Sequence, residues 1–289
     1  MSAFNRYVLM AVLFSLMVIS ISCSPDDPDK TTYFDEMRSF IEESVDGREL
    51  YTINLYPEDS YYADDTLRVM VHIDSTIRYY DCDIDTIPRD IGGFDQILNA
   101  VIEIHDFFYG RVDTIGNSDT AFYHYMESWV TRRAYFLKLY DDNYEYHGWR
   151  FWGYSCVTTA AAAVGEFKSS GGEAFSTLPP DTMYIMYIPH IKFWKYFNKN
   201  NVVIISPKDS IVFTTDQSLN VFPLVGGKVI GSFRTVLSGD KYTTGWRLPS
   251  SSEAFFNLFI VDGSWVLDND STLVKKVDQA IPFKINNSK

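Results

Sequence analysis

The chain has 289 residues, of which 46% are hydrophobic and 22% are charged, enough for one large or two ordinary domains. Its 38 acidic residues outnumber its 25 Lys and Arg residues, which gives a formal net charge of −13 at pH 7. Such a balance repels phosphate backbones, so the composition argues against a nucleic-acid partner.

The start of the chain has the order of a secretory leader. Arg6 is followed by an uncharged, mostly apolar run over 7–22, and the run ends at Cys23. The run is shorter than the roughly 20 residues that a membrane-spanning helix needs, so a cleaved leader is favoured over a permanent transmembrane anchor.

This leader resembles a bacterial lipoprotein signal, because Ser22 precedes Cys23 at the exit of the apolar run. The resemblance implies that residues 1–22 are removed as the signal peptide and that Cys23 carries the lipid anchor, including palmitate. Ser24 after the cysteine implies an outer-membrane destination. The acidic segment 23–32 would be a tether, and it also resembles the export tag of surface lipoproteins of the Bacteroidota. Both the periplasmic face and the cell surface stay open.

A helix and then long strands are predicted after the tether. Apolar residues at helical spacing over 33–46 predict an amphipathic helix. Alternating apolar and polar residues predict strands over 66–80, 97–112 and 122–139, and the aromatic run 148–154 reads as a return strand.

One helix and about four long antiparallel strands, the last beginning Gly148-Trp149, are similar in pattern to the nuclear-transport-factor-2-like fold over residues 33–158. That resemblance implies a curved sheet that wraps around helices and often leaves a pocket. We therefore expect an α+β domain over 33–167, an N-terminal helix plus a curved, cone-like antiparallel sheet.

The composition changes over 168–181, where Gly171-Gly172 and Pro179-Pro180 predict a linker. Over 182–289, short predicted strands alternate with turns such as Gly226-Gly227. About seven strands in such a length are similar to an immunoglobulin-like β-sandwich. The predicted fold class is thus α+β, with the cone-like domain followed by an all-β sandwich domain.

Three cysteines are present. If Cys23 is lipidated, Cys82 and Cys156 remain in an oxidising compartment, where a disulfide between them could persist. A bridge closing so long a loop would contribute about 4 kcal/mol in the chain-entropy model. Both cysteines also lie in apolar segments, where each could pack as a small hydrophobic side chain instead.

Three carboxylates at a spacing of two, Asp81, Asp83 and Asp85, are the sharpest charge pattern. A calcium loop would also need Gly at its sixth and Glu at its twelfth position, where this chain has Thr86 and Gly92. We therefore predict no metal site and no cofactor, and we expect these carboxylates to line the solvent face of a strand.

The five histidines show no metal-binding spacing. In a cone-like domain, His72 and His105 could reach one pocket as a general acid/base pair, which would make the protein a small-molecule hydrolase or isomerase. The alternative is that each is an ordinary surface or core residue. Neither a GxSxG elbow nor a Walker loop is present, and we predict no catalytic residue.

Aromatic side chains crowd the stretch 144–154 at positions of both parities, so one strand face cannot bury them all. We predict that Tyr146, Trp149, Trp152 and Tyr154 form a ligand-binding surface on which sugar rings stack. The alternative is an aromatic interface between domains.

The predicted function is that of a non-enzymatic outer-membrane lipoprotein of the cell envelope that binds or scaffolds an envelope or extracellular ligand, a glycan or an envelope protein. The alternative function is the hydrolase or isomerase with a pocket in the N-terminal domain. An enzyme should show titratable groups converging in a deep cavity, whereas a binding module should show an exposed aromatic platform.

Overall fold

A computed structural model describes the backbone of most of the chain. The described residues are 28–62, 68–88, 96–115, 121–157, 165–170, 174–176, 184–185, 200–201, 203–206, 208–216, 218–250, 253–262, 277–280 and 283–286. The predicted signal peptide and Cys23 lie outside them. Within the described part of the chain, no helix has the length and apolar character needed to cross a membrane.

Two helices, α1 (Pro28–Glu43) and α2 (Val45–Leu50), begin the described chain. The predicted helix is confirmed, although it begins inside the predicted tether and ends earlier than expected. Ser44 separates the two helices, and its side chain accepts a hydrogen bond of 2.9 Å from the backbone N–H of Gly47, which caps α2. The apolar face of α1 is buried through Phe34, Met37 and Ile41.

The described strands form three sheets, and the first has the order β1-β2-β3-β4-β5-β8-β9, with β2, β3 and β4 as its longest strands. All neighbours pair antiparallel except β8 and β9, which pair parallel. The predicted long strands and return strand are confirmed. The strands are β1 Tyr61–Tyr62, β2 Arg68–Pro88, β3 Gln96–Ile115, β4 Ala121–Lys138, β5 Trp149–Val157, β8 Tyr184–Ile185 and β9 Asn200–Asn201.

Two further sheets are built from the rest of the described strands. The second sheet has the order β10-β19-β17-β12-β13, with β14 beside β12 and β18 beside β17. Its strands are β10 Val203–Ile205, β12 Leu219–Val225, β13 Lys228–Val229, β14 Phe233–Arg234, β17 Glu253–Asp262, β18 Val277–Ala280 and β19 Phe283–Asn286. The third has the order β15-β16-β11-β6-β7. Its strands are β6 Gly165–Ser169, β7 Ala174–Ser176, β11 Ser210–Thr215, β15 Val236–Ser238 and β16 Lys241–Arg247.

The strands do not follow the division predicted at 168–181. Strand β7 lies within that segment and pairs with β6, which itself pairs with β11 of the third sheet. Strand β8, expected in the C-terminal sandwich, pairs with β5 of the first sheet. Because β7 lies inside the predicted linker and belongs to the third sheet, the prediction of a bare linker is wrong. The predicted strand-rich fold is confirmed, and the described residues contain two short α-helices where one was predicted.

One apolar core contains residues of all three sheets. The ring of Tyr56 lies between Phe108 on β3 and Phe222 on β12, at centroid distances of 6.2 and 6.3 Å. Tyr61 also contacts Phe222, at 4.9 Å. Because each fully buried aromatic ring contributes roughly 1.5–3 kcal/mol, the segment that follows α2 holds the first and second sheets together.

A buried charge cluster fastens the end of α2 to the first sheet. Asp106 on β3 is fully buried, and its carboxylate accepts hydrogen bonds from Arg78 on β2, at 2.5 and 2.9 Å, and from Arg132 on β4. Arg132 also donates to the carbonyl oxygens of Leu50 and Tyr51, and Arg78 donates to that of Tyr51. Carbonyls at a helix C-terminus lack intrahelical partners, and the two guanidinium groups satisfy them.

Candidate functional site

The aromatic residues predicted to bind a ligand are mostly buried. Trp149 and Trp152 are 1% exposed and Tyr154 is fully buried, while Tyr146 is half-buried. The exposed platform predicted at these positions is therefore wrong, because neighbouring aromatic side chains cover the rings. The ring pairs and their centroid distances are Tyr33–Trp149 at 5.8 Å, Tyr135–Trp152 at 6.3 Å, Tyr51–Tyr154 at 5.2 Å and Phe40–Tyr146 at 5.5 Å.

The proposed histidine pair does not form. His72 pairs in register with Arg111 on β3, whereas His105 is itself on β3 and six residues away, which corresponds to about 20 Å along the strand. Each histidine contacts its own carboxylate: His72 Nε2 lies 2.9 Å from Asp113 and His105 Nε2 lies 3.2 Å from Asp81. The prediction that the two could share one pocket is wrong.

A cleft of about 760 Å³ lies between the segment 53–60, strand β2 and the turn 227–232. The titratable residues that line it are Tyr56, Glu58, Asp59 and Lys228. Among the described residues that line this cleft, there is no histidine and no cysteine.

The face of the first sheet that points away from the helices carries a row of apolar and aromatic side chains. Ile77, Phe107 and Trp129 are paired in register across β2, β3 and β4. Ile77 is 37% exposed and Trp129 is 36% exposed, and Phe107 is half-buried between them. Tyr79 adds an edge-on contact to Phe107 at 5.6 Å. We call Ile77, Tyr79, Phe107 and Trp129 the aromatic row.

Polar side chains lie directly beside the aromatic row. His105 Nδ1 lies 3.0 Å from the hydroxyl of Thr131, and His105 Nε2 contacts Asp81. In the next register position, the Nε of Arg133 donates to Glu103 at 2.6 Å. We call Asp81, Glu103, His105, Thr131 and Arg133 the polar row, and the two rows together the outer face.

The polar row offers both hydrogen-bond donors and acceptors. Ligand atoms of Asp81, Glu103 and His105 lie within 4.8 Å of one another, close enough to surround an ion. However, the guanidinium of Arg133 is already bound to Glu103 and places a fixed positive charge beside the cluster. That charge opposes a metal ion, whereas the donors and acceptors together suit a neutral polar ligand.

The outer face was missed from the sequence because aromatic density alone pointed to 144–154. A better signal is the parity of β3 and β4, in which Phe107 and Trp129 alternate with buried residues such as Phe108 and Val130. In a sheet covered on one face, the aromatic residues of the opposite parity must lie on the other face. The sequence does not state which parity the helices cover.

The order of the strands disfavours the predicted disulfide between Cys82 and Cys156, which stays a prediction. Cys82 lies on β2 and Cys156 on β5, and β3 and β4 lie between them. Three strand spacings correspond to about 14 Å, whereas bridged cysteines have Cα atoms within about 7 Å. The side chain of Cys156 lies outside the described residues.

Comparisons of the chain with protein-family models, with curated proteins and with solved structures found no match. The function therefore has to be argued from the geometry of the outer face and from the residues of the leader.

Proposed function

We propose that the protein is a non-enzymatic lipoprotein of the outer membrane that binds a glycan on the outer face of its first sheet. The observation that carries this proposal is the aromatic row, in which Ile77 and Trp129 are more than a third exposed, directly beside a polar row. An exposed row of this kind supports a binding module, although it lies on other residues than those predicted.

The chemistry of the two rows is complementary to a sugar. The face of a sugar ring is made of C–H groups that carry partial positive charge, and the π-face of Trp129 or Phe107 carries partial negative charge. Sugar hydroxyl groups both donate and accept hydrogen bonds, and Glu103 and Arg133 offer an acceptor and a donor. The aromatic row spans about 10 Å over three strands, which suits a short stretch of a longer glycan.

The cone-like and sandwich arrangements are part of the same proposal. Two register shifts, at Ile73/Ser75 on β2 and at Tyr135/Phe136 on β4, support a curved first sheet, since bulges bend and twist a strand. The helices pack on the face opposite to the outer face, as a cone would require. For the C-terminal region, the presence of two separate sheets supports a sandwich.

A glycan-binding survey tests the function. We expect the full-length protein, purified in a detergent without a sugar head group, to bind at least one glycan on an array. Trp129→Ala should weaken that binding about tenfold or more, because an exposed ring that stacks on the sugar is lost.

Tyr144→Ala is the matched control, since Tyr144 is also exposed but packs against Tyr140 outside the outer face. It should bind like the unaltered protein. No binding to any glycan, or an equal loss in both variants, would contradict a glycan site on the outer face.

The lipid anchor has its own test. When the chain is expressed in a bacterium with labelled palmitate, we expect label on the mature protein and none on Cys23→Ser, because the thiol of that cysteine is the acceptor. Cys82→Ser, which alters a cysteine on β2, should keep the label. Label that persists in Cys23→Ser would disprove lipidation at that position.

A further inference from the structure

Strand β2 forms an edge of the first sheet over most of its length. Strand β1 pairs only with Arg68 and Val69, and β3 pairs with the opposite edge of β2. Within the described residues, no strand pairs with the outward edge of 70–88. The backbone N–H and C=O groups along such an edge are a template for an added strand.

One side of this edge is acidic. Asp81, Asp83 and Asp85 are all exposed and point to the same face of the sheet. Asp81 contacts His105 and Asp85 accepts a hydrogen bond from the backbone N–H of Thr86. Among the described residues, no Lys or Arg forms an ion pair with Asp83 or Asp85. The three carboxylates, which we call the acidic comb, thus form no ion pair with a Lys or Arg among the described residues.

The opposite side of the same edge is apolar. Tyr80, Cys82 and Ile84 alternate with the acidic comb, are half-buried, and pack against the margin of the core. A strand added beside β2 would place its inward side chains against these residues and its outward side chains opposite the carboxylates. Cross-strand neighbours lie about 5 Å apart, close enough for charge pairing.

We propose that the edge of β2 binds an extended segment of a partner protein in which basic residues alternate with apolar ones. The basic residues face Asp81, Asp83 and Asp85, the apolar residues extend the inner face, and the backbones hydrogen-bond as neighbouring strands. Charge complementarity selects this partner over a second copy of the chain. Two antiparallel copies of β2 paired over this stretch would place carboxylates opposite carboxylates.

The test uses a synthetic peptide of about seven residues, alternating Lys and Val with blocked ends, which as a strand spans about 23 Å. We expect it to bind the full-length protein in detergent at least about tenfold more tightly than a peptide with the same residues in two blocks. The block peptide keeps the charge but loses the alternation that matches the two sides of the edge. Binding should also slow hydrogen exchange of alternate backbone amides within 76–88, because these become hydrogen-bonded.

A charge reversal sharpens the test. The double variant Asp83→Lys/Asp85→Lys should bind the Lys-Val peptide at least about tenfold more weakly and should gain affinity for a Glu-Val peptide. The matched control is Glu58→Lys/Asp59→Lys, an exposed acidic pair away from the comb with the same change in charge. It should keep most of the Lys-Val binding.

Equal binding of the alternating and block peptides would overturn the proposal, and so would unchanged amide exchange in 76–88. Equal losses in the two double variants would also overturn it, since they would show attraction to the net charge alone. Trp129→Ala should leave peptide binding unchanged, so that failure of the glycan proposal and failure of this one are told apart.

Discussion

Asp106→Asn is expected to lower the free energy of unfolding by about 3–5 kcal/mol, because it leaves a buried guanidinium without its counter-charge. The carboxylate of Asp106 is fully buried between Arg78 and Arg132, and the side chain of Arg132 is only 2% exposed. An amide can accept a hydrogen bond but carries no charge to offset the two cations. Equilibrium unfolding in urea measures the difference.

The loss should reach beyond the cluster, since the guanidinium groups also hold the carbonyls of Leu50 and Tyr51. Once Arg132 is no longer fixed by Asp106, the end of α2 loses its anchor on the sheet. Relative to the unaltered protein, Asp106→Asn should therefore accelerate hydrogen exchange more at the backbone amides of α2 than at those in the middle of β3.

Asp113→Asn is the matched control, the same substitution on the same strand but on the outer face. Asp113 is 23% exposed and pairs with His72 and Arg111 at 2.9 and 3.2 Å. Partly exposed pairs contribute roughly 0–1 kcal/mol, so this variant should stay close to the unaltered protein. Comparable destabilisation in the two variants would contradict a special role for the buried cluster.

The pH dependence of stability provides a second control, because the lowered pKa of Asp106 fixes the direction of the change. Burial alone would raise the pKa of Asp106, but the charges of Arg132 and Arg78 and their hydrogen bonds outweigh it and hold the pKa below its ordinary value. A lowered pKa contributes stability that is present above the ordinary carboxyl pKa and is lost as the pH falls through the lowered one. The stability gap between the unaltered protein and Asp106→Asn should therefore narrow as the pH falls.

The sequence indicates that Asp106 and Arg132 are buried, but it does not indicate that they pair. On β3, Asp106 has the parity of Ile104 and Phe108, and on β4, Arg132 has the parity of Val130 and Ala134. A charge at a buried parity in each of two neighbouring strands suggests a buried pair. The register that joins them depends on turn lengths and bulges, which local periodicity does not reveal.

Local periodicity predicted the elements but not their partners. The alternation over 97–112 was enough to favour a strand over a helix, and the apolar spacing of 33–46 was enough for α1. Local periodicity does not indicate which sheet a strand joins. For example, β6 pairs with β11, which lies some 40 residues later in the chain. Nothing in the sequence of 168–181 indicates a partner as distant as β11. The turn-rich segment was therefore predicted to be a linker.

Trp149→Ala should destabilise the protein by about 3–5 kcal/mol, the usual effect of removing a large aromatic side chain from a core. Trp149 is 1% exposed, begins β5, and packs edge-on against Tyr33 of α1. Its loss therefore opens a cavity between helix and sheet. Trp129→Ala, the control, removes a ring that is 36% exposed on the outer face and should change stability by only about 1 kcal/mol.

The two variants should rank in the opposite order when their loss of glycan affinity is compared. Measured where each variant is folded, Trp149→Ala should keep its affinity for the glycan, since the ring lies in the core and the outer face is on the other side of the sheet. Trp129→Ala should lose about tenfold or more while its stability is nearly unchanged. If Trp149→Ala instead folds normally and selectively loses glycan binding, the aromatic stretch 144–154 is the ligand site, and the burial of its rings would have to open when the ligand binds.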